Sequence, residues 1–227
     1  MTQNKRKAKV ATKRKSEKTT QIVIGIVVLL ILAGIAWGVY VSQKPAAPIT
    51  GSQAPAAAIK TYSQAPDMTI DKTKKYTATV KLSKGGEFII QLLPDKAPIT
   101  VNNFVFLACK FFFDGVTFHR VLDGFMAQGG DPTGTGSGGP GYEFINENSN
   151  LTFDKAGMMA MANGGPYTNG SQFFITYGAQ EFLNGGYTIF GQVIKGMEVV
   201  NAITRRDPQQ NPSFTGDIIE TITITEK

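Results

Sequence analysis

Hydrophobic and polar residues alternate in several short runs between residues 75 and 227. The segments Tyr76–Val80 and Glu87–Leu92 flank a turn at Lys84, Gly85 and Gly86, and this arrangement predicts a β-hairpin. Further short apolar runs, separated by glycine-rich turns, predict strands at 118–121, 125–129, 157–162, 173–176, 188–193 and 218–225. Two segments have helical spacing instead, 100–110 with Thr100 as its N-cap, and 197–203. Many short strands, two helices and 25 glycines predict a mainly β fold, a closed antiparallel barrel.

A different pattern occupies residues 22–41, where twenty consecutive positions carry no charge. At about 1.5 Å per residue they would form a helix of roughly 30 Å, the thickness of the hydrocarbon core of a membrane. Trp37 and Tyr40 lie near its far end, where aromatic residues are expected at the membrane interface. Residues 22–41 are therefore predicted to be a transmembrane helix. A cleaved signal peptide is the alternative. The apolar region of a signal peptide is usually shorter than twenty residues, but the alanines at 46–47 and 56–58 are small residues of the kind found at a cleavage site.

The charge of the chain is concentrated at its N-terminus. The formal net charge is +6, and the first twenty residues hold eight Lys and Arg against one acidic residue, Glu17. This basic tail, residues 1–21, predicts a cytoplasmic N-terminus and an extracytoplasmic C-terminal domain. The remaining residues carry 15 basic and 16 acidic side chains, so no nucleic-acid-binding face is predicted.

The segment that follows the apolar run has the composition of a linker. Residues 42–74 are rich in Pro, Ala, Gln, Ser and Thr and hold few large apolar residues, which predicts an extended spacer before a folded domain at 75–227. Cys109 is the only cysteine, so the stability of this domain must come from its core rather than from an internal disulfide.

Four motifs in the folded part carry a family resemblance. Three segments, Phe118–Asp131, Met161–Asn163 and Asn169–Ile175, closely resemble the cyclophilin family, and Phe182–Val193 resembles it with changes. The resemblance covers about residues 75–225. Together with the apolar run before these residues, the chain resembles a bacterial membrane-anchored cyclophilin-type peptidyl-prolyl cis/trans isomerase. It implies an eight-stranded closed antiparallel barrel capped by two α-helices, with the active groove on the outer surface and no cofactor.

The resemblance also implies roles for individual residues. Arg120 would be the catalytic arginine. The proline pocket would be walled by Phe125, Met126, Phe174 and Leu183. The rest of the groove would be formed by His119, Gln128, Ala162, Asn163, Gln172, Phe182 and Tyr187. Phe182 stands where many cyclophilins have a tryptophan that donates a hydrogen bond to cyclosporin-type ligands, so we expect weak cyclosporin inhibition here, and Tyr187 stands where animal members often have histidine.

The physical chemistry of X-Pro bonds agrees with these roles. Resonance gives the peptide bond a rotation barrier of about 18–20 kcal/mol, and an X-Pro bond isomerises unaided in tens to hundreds of seconds. An isomerase breaks no covalent bond, so it needs a surface that is complementary to the twisted amide. The permanently charged guanidinium of Arg120 can donate hydrogen bonds to the proline nitrogen or to the substrate carbonyl as the bond twists.

Other chemistries lack the necessary residues. His119 is the only histidine and no Gly-x-Ser-x-Gly elbow is present, so neither a hydrolase nor a clustered metal site is predicted. The glycine-rich stretch 129–141 has no Lys at P-loop spacing. Together with the resemblance, which implies the activity, the sequence predicts a monomeric isomerase that acts on proline-containing segments of secreted or surface proteins as they fold. The alternatives are a peptide-binding module that uses the same groove without turnover and a holdase-like chaperone.

Overall fold

The computed structural model describes residues 60–227, which contain eight β-strands and two α-helices. All eight strands belong to one antiparallel sheet with the order β3-β4-β6-β5-β7-β2-β1-β8. The elements in chain order are β1 (Tyr76–Leu82), β2 (Glu87–Leu92), α1 (Pro98–Cys109), β3 (Arg120–Leu122), β4 (Met126–Gly129), β5 (Met158–Met161), β6 (Phe173–Thr176), β7 (Ile189–Lys195), α2 (Met197–Asn201) and β8 (Ile219–Glu226). Two short 3₁₀ turns lie at Glu181–Leu183 and Pro208–Gln210. The predicted mainly β fold with two helices is confirmed.

The predicted hairpin is formed by β1 and β2. Val80 lies opposite Phe88 in the antiparallel register. Every second residue of β1 is buried, which places Ala78, Val80 and Leu82 in the core while their neighbours face outward. Gly85 and Gly86 both have positive φ angles, so the turn uses a backbone conformation that glycine adopts without strain.

Helix α1 begins two residues before the predicted N-cap. Pro98 occupies its first turn, where a missing N–H costs no helical hydrogen bond, and Ala97 is the residue that precedes it. Thr100 is therefore not the N-cap. Instead the Glu147 carboxylate accepts hydrogen bonds from the N–H groups of Ile99 and Thr100, at 3.0 and 2.7 Å. A distant side chain caps the helix, which local sequence spacing does not reveal.

The prediction of a closed barrel is wrong, because β3 and β8 are the two ends of the strand order and form no ladder with each other. The chain just before β3 meets the start of β8 instead, through an isolated bridge between Thr117 and Ile218 and a 2.9 Å hydrogen bond from the Phe118 N–H to the Asp217 carbonyl. Within β3 itself, Val121 pairs with Arg206 rather than with β8, through a second isolated bridge. The sheet is therefore a curled half-barrel.

Two apolar clusters fill the interior. The larger contains several phenylalanine rings in edge-to-face or tilted contact, with centroids 5.1 to 6.1 Å apart; its central members are Phe104, Phe113, Phe118, Phe173 and Phe190. The smaller consists of Met126, Phe153, Met158, Ala160, Phe174, Leu183 and Ile189. The smaller cluster lies directly beneath the candidate site, so the packing of the sheet and the shape of that site are coupled.

The N-terminal regions of the chain are only partly described. Residues 60–74, which composition assigns to the spacer, lie against the domain, and Tyr62 and Ile70 pack on its core. Within residues 60–227 no helix has the length and apolar character needed to cross a membrane. The predicted basic tail 1–21, the transmembrane helix 22–41 and residues 42–59 of the spacer lie outside the described residues.

Candidate active site

Arg120 stands at the start of β3 with its side chain on the outer face of the sheet. It lies opposite Gln128 of β4 in the antiparallel register, and its Nη1 donates a 3.3 Å hydrogen bond to the Gln128 Oε1. Its guanidinium carbon is 5.8 Å from the centroid of the Phe125 ring. Among the salt bridges of residues 60–227 none involves Arg120. The positive charge is therefore held in place without being neutralised, and most of its N–H groups can reach a bound molecule.

A small pocket opens beside this guanidinium. Its volume is about 160 Å³, well below that of sites for drug-sized ligands, so it fits a single side chain. The structure brings together here nine residues named from the sequence: Arg120, Phe125, Met126, Gln128, Ala162, Asn163, Phe174, Leu183 and Tyr187. Polar and apolar groups share the wall, and the apolar part that a proline ring requires comes from Phe125, Met126, Ala162, Phe174 and Leu183.

The floor of the pocket is held by the smaller apolar cluster. The Phe174 ring stacks on Phe153 with centroids 5.7 Å apart and meets the Tyr187 ring edge-on at 5.5 Å. Met126 and Leu183 are likewise almost fully buried. Because these side chains are fixed from below by close packing, the pocket is formed before any ligand arrives.

A second cavity of about 820 Å³ adjoins the pocket, and we call it the side cleft. Gln128, Ala162 and Asn163 line both cavities, whereas Gln172 lines only the side cleft. The Gln172 Oε1 accepts from Gln128 Nε2 at 3.0 Å, and its Nε2 donates to the Gly138 carbonyl at 2.9 Å. The far wall of the cleft is a loop that continues the glycine-rich stretch 129–141, which the sequence analysis did not place in the groove. It includes Ser137, Gly138, Gly139, Pro140, Gly141, Tyr142 and Glu143.

Asn163 offers backbone groups at the edge of the pocket. In the part of the chain that the structure describes, neither its N–H nor its C=O pairs with another backbone group. Its side chain is held by weak contacts, with Nδ2 3.4 Å from both the Asn146 Oδ1 and the Gly186 carbonyl. An exposed donor and acceptor on one residue can pair with an extended peptide in the manner of an added strand.

Two residues that the resemblance placed in the groove line neither of its two cavities. His119 does not border the groove: it is 1% exposed and lines neither the pocket nor the side cleft. The reason is the alternation along the chain, which turns Arg120 outward and the preceding residue inward. Phe182 is 74% exposed, and its ring contacts the Phe125 ring at a tilt with centroids 5.6 Å apart, so it extends the rim rather than the pocket wall.

The burial of His119 affects its charge state. Neither ring nitrogen has a hydrogen-bond partner among the described residues. Desolvation lowers the pKa of this imidazole below its ordinary value, and the nearby Asp131 carboxylate opposes the shift only in part. His119 is therefore neutral at neutral pH and adds no charge next to Arg120.

The arrangement can stabilise a twisted X-Pro amide. A proline ring lodged in the apolar pocket would be fixed, while the backbone on one side could pair with Asn163. Twisting the bond localises the lone pair on the proline nitrogen, and the Arg120 guanidinium beside the pocket can donate to it or to the substrate carbonyl. These interactions strengthen as the amide twists, which is the condition for lowering the rotation barrier.

The half-barrel and this site together define a surface groove for a peptide segment that presents one proline. Comparisons with known proteins agree. Residues 77–226 match the family model described as cyclophilin type peptidyl-prolyl cis-trans isomerase/CLD. The chain is similar to peptidyl-prolyl cis-trans isomerase A of Mycobacterium tuberculosis, at 48% identity over 66% of this chain and 92% of that protein. It is also similar to peptidyl-prolyl cis-trans isomerase B of Streptomyces anulatus, at 43% identity over 65% of this chain and 95% of that protein.

Solved structures give the same result. The crystal structure of a cyclophilin type peptidyl-prolyl cis-trans isomerase from Cryptosporidium parvum superposes with a TM-score of 0.61 and 35% identity, covering 67% of this chain and 99% of that one. The same protein in the presence of the dipeptide Ala-Pro gives a TM-score of 0.60. The chain therefore belongs to the cyclophilin-type peptidyl-prolyl cis-trans isomerase family, and its activity is the isomerisation of X-Pro peptide bonds.

Proposed function

We propose that this isomerase is tethered to the cell membrane by residues 22–41 and acts on proline-containing segments of secreted or surface proteins as they fold outside the cytoplasm. The proposal is supported by the twenty uncharged positions of that run and by the eight basic residues before it. A stretch of this length matches the hydrocarbon core, and flanking Lys and Arg residues favour the cytoplasmic side.

The substrate side of the proposal rests on one observation, the un-neutralised guanidinium of Arg120 beside a pocket for one apolar side chain. The pocket selects proline by shape, and Asn163 pairs with substrate backbone, whose groups are common to all proteins. Such a site accepts many polypeptides, provided that the proline is accessible. A relative crystallised with Ala-Pro supports a proline-containing ligand. We therefore assign unfolded or extended X-Pro segments, rather than one dedicated partner, as the substrates.

The location is tested by treating intact cells, or cells whose outer barrier has been permeabilised, with a protease that cannot cross the cell membrane. The proposal predicts digestion of the isomerase domain before lysis, with the N-terminal tail protected. Protection of the domain until lysis would contradict the proposed orientation. A mature chain that begins after residue 41 and is released from membranes would show a cleaved signal peptide instead of an anchor.

The role in folding is tested with a client whose refolding is limited by an X-Pro bond. The full chain in detergent is expected to accelerate the slow refolding phase, which normally takes about 10–100 s at 25 °C. The Arg120→Ala variant serves as the matched control because it leaves the apolar pocket in place. Equal benefit from both proteins would indicate a chaperone that acts by binding alone.

A further inference from the structure

Residues 60–70 form an ordered segment, which we call the N-terminal arm, that precedes the part of the chain matched by the family model, residues 77–226. The arm runs along α1. Lys60, at its start, donates from Nζ to the carbonyls of Lys110 and Phe111 at 2.8 Å each, and so satisfies acceptors just after the end of this helix. The arm is thus attached to the isomerase domain by specific contacts.

Asn102 of α1 holds the far end of the arm. Its side chain is 2% exposed, yet it has a full set of partners. The amide oxygen accepts from the N–H groups of Thr69 and Ile70 at 2.8 and 3.3 Å. The amide nitrogen donates to the Asp67 carbonyl at 2.9 Å. A buried amide whose partners all belong to the arm would be left unsatisfied if the arm detached, and that penalty favours the docked state.

Tyr62 joins the arm to the loop of residues 138–142, which forms the far wall of the side cleft. Its backbone N–H donates to the Pro140 carbonyl at 2.8 Å. Its ring packs edge-on against Phe106 of α1 with centroids 5.1 Å apart. Gly141 approaches so closely that a Cβ at this position would lie 2.6 Å from the Tyr62 carbonyl oxygen. Close backbone contact of this kind fixes the position of the loop.

The same loop is bonded on its other side to the groove. The Gly138 carbonyl accepts from Gln172 Nε2 at 2.9 Å, and Gln172 Oε1 accepts from Gln128 Nε2 at 3.0 Å. Gln128 Oε1 in turn accepts from Arg120 at 3.3 Å. Each amide uses its oxygen toward one neighbour and its nitrogen toward the other, so the chain of hydrogen bonds has a fixed direction. A shift of the loop would be transmitted to Gln172 first.

We propose that the N-terminal arm is a specificity-determining part of this isomerase. Within the arm, Tyr62 is a positioning residue that fixes the 138–142 loop. The position of this loop sets the width of the side cleft and the orientation of Gln172. The side cleft adjoins the proline pocket, so it faces the substrate residues that neighbour the proline. The arm therefore influences which flanking residues are accepted, while the apolar floor of the proline pocket is built from the smaller apolar cluster, which contains no arm residue.

The test compares the full chain in detergent with the variants Tyr62→Ala and Tyr62→Phe. The ring is the part of Tyr62 that packs on α1, and its hydroxyl makes no hydrogen bond among the described residues. Tyr62→Phe therefore keeps the packing and is the matched control. The kcat/KM of isomerisation is measured for a panel of Ala-Pro peptides whose flanking residues vary from Gly to Phe. For Tyr62→Ala, the ratio of kcat/KM between the best and the worst flanking residue is expected to change by about fivefold, whereas Tyr62→Phe keeps it.

A purely structural role of the arm gives a different result, because partial unfolding lowers kcat/KM for every peptide by the same factor and leaves the ratio unchanged. That outcome overturns the proposal. The side-chain amide signals of Gln172 in NMR spectra give a second readout: they are expected to shift in Tyr62→Ala and to stay in place in Tyr62→Phe. Signals that stay in place in both variants also overturn it.

Asn102→Ala provides an independent way to release the arm, since it removes the hydrogen bonds to residues 67–70 without touching Tyr62 or the loop. It is expected to change the flanking-residue ratio in the same direction as Tyr62→Ala. Folding of each variant is checked by circular dichroism. An Asn102→Ala protein that is folded, has its arm released as judged by protease cleavage within residues 60–70, and keeps the original ratio contradicts the proposal.

Discussion

His119, the only histidine of the chain, gives a stability prediction that no other histidine can obscure. Its imidazole is buried with both nitrogens unpartnered, and burial lowers its pKa below the ordinary value of 6.5. The nearby charges of Arg206 and Arg120 act in the same direction, whereas the Asp131 carboxylate and the Thr117 backbone oppose it. The unfolded chain therefore binds a proton at His119 more readily than the folded chain. The stability contributed by neutral His119 is consequently present above pH 6.5 and lost as the pH falls below this value.

The size of the effect follows from proton linkage. If the folded protein stays unprotonated at His119, lowering the pH from 7.5 to 5.5 reduces the free energy of unfolding by up to about 1.4 kcal/mol. For a domain of this size that corresponds to a decrease of up to about 3–6 °C in Tm. The aspartate and glutamate groups with shifted pKa values are all shifted downward, out of this pH window; they are Asp71, Asp131, Asp217 and Glu226.

The assay is urea unfolding of the full chain in detergent, followed by circular dichroism at a series of pH values between 7.5 and 5.5. The control is His119→Gln, which retains a polar side chain but has no proton to gain and should lack the pH dependence in this window. A free energy of unfolding that is constant over this range in the unmutated chain, or a slope that persists in His119→Gln, would refute the reasoning.

Three further substitutions have expected outcomes. Asp131→Ala removes a buried carboxylate that accepts four or more hydrogen bonds within its own loop. It is expected to lower the free energy of unfolding by about 3 kcal/mol, measured with urea. A loss below about 1 kcal/mol would show that water replaces these bonds. Glu147→Ala removes the side chain that caps α1 at Ile99 and Thr100. It should lower the free energy of unfolding by about 1–2 kcal/mol, measured in the same way. An unchanged urea midpoint would contradict the capping role. Phe182→Trp supplies an N–H on the exposed rim, so it should tighten cyclosporin inhibition about tenfold while kcat/KM is retained. Nanomolar inhibition of the unmutated chain by cyclosporin would refute the expectation of weak binding.

Local patterns predicted the strands, because alternation depends on short stretches of chain, whereas the pocket was implied by the family resemblance. The alternation of Tyr76–Leu82 follows directly from one buried face of a sheet. The residues around the pocket come from motifs whose order is legible in the sequence, and the structure brings Arg120, Phe125 and Phe174 together as the resemblance implied.

The features that sequence reasoning missed depend on contacts between distant segments. The sheet stays open between β3 and β8 because the bridge at Thr117 and Ile218 replaces a ladder, and strand counting cannot reveal this. The N-terminal arm contributes mainly backbone groups to Asn102 and Pro140, and backbone groups leave no signal in composition. His119 shares a motif with Arg120, but the motif does not state which of two adjacent side chains points outward.

The central claim of this account is that the Arg120 guanidinium stabilises the twisted amide of a proline held in the adjacent pocket. The most direct measurement is NMR exchange spectroscopy on an Ala-Pro peptide with the unmutated chain and with Arg120→Ala, in parallel with the peptide Kd of each. The account predicts a loss of about 10²–10³ in the isomerisation rate with a change of less than about tenfold in Kd, since the donor acts mainly in the transition state. An Arg120→Ala protein that binds the peptide and isomerises it at the unmutated rate would contradict the account.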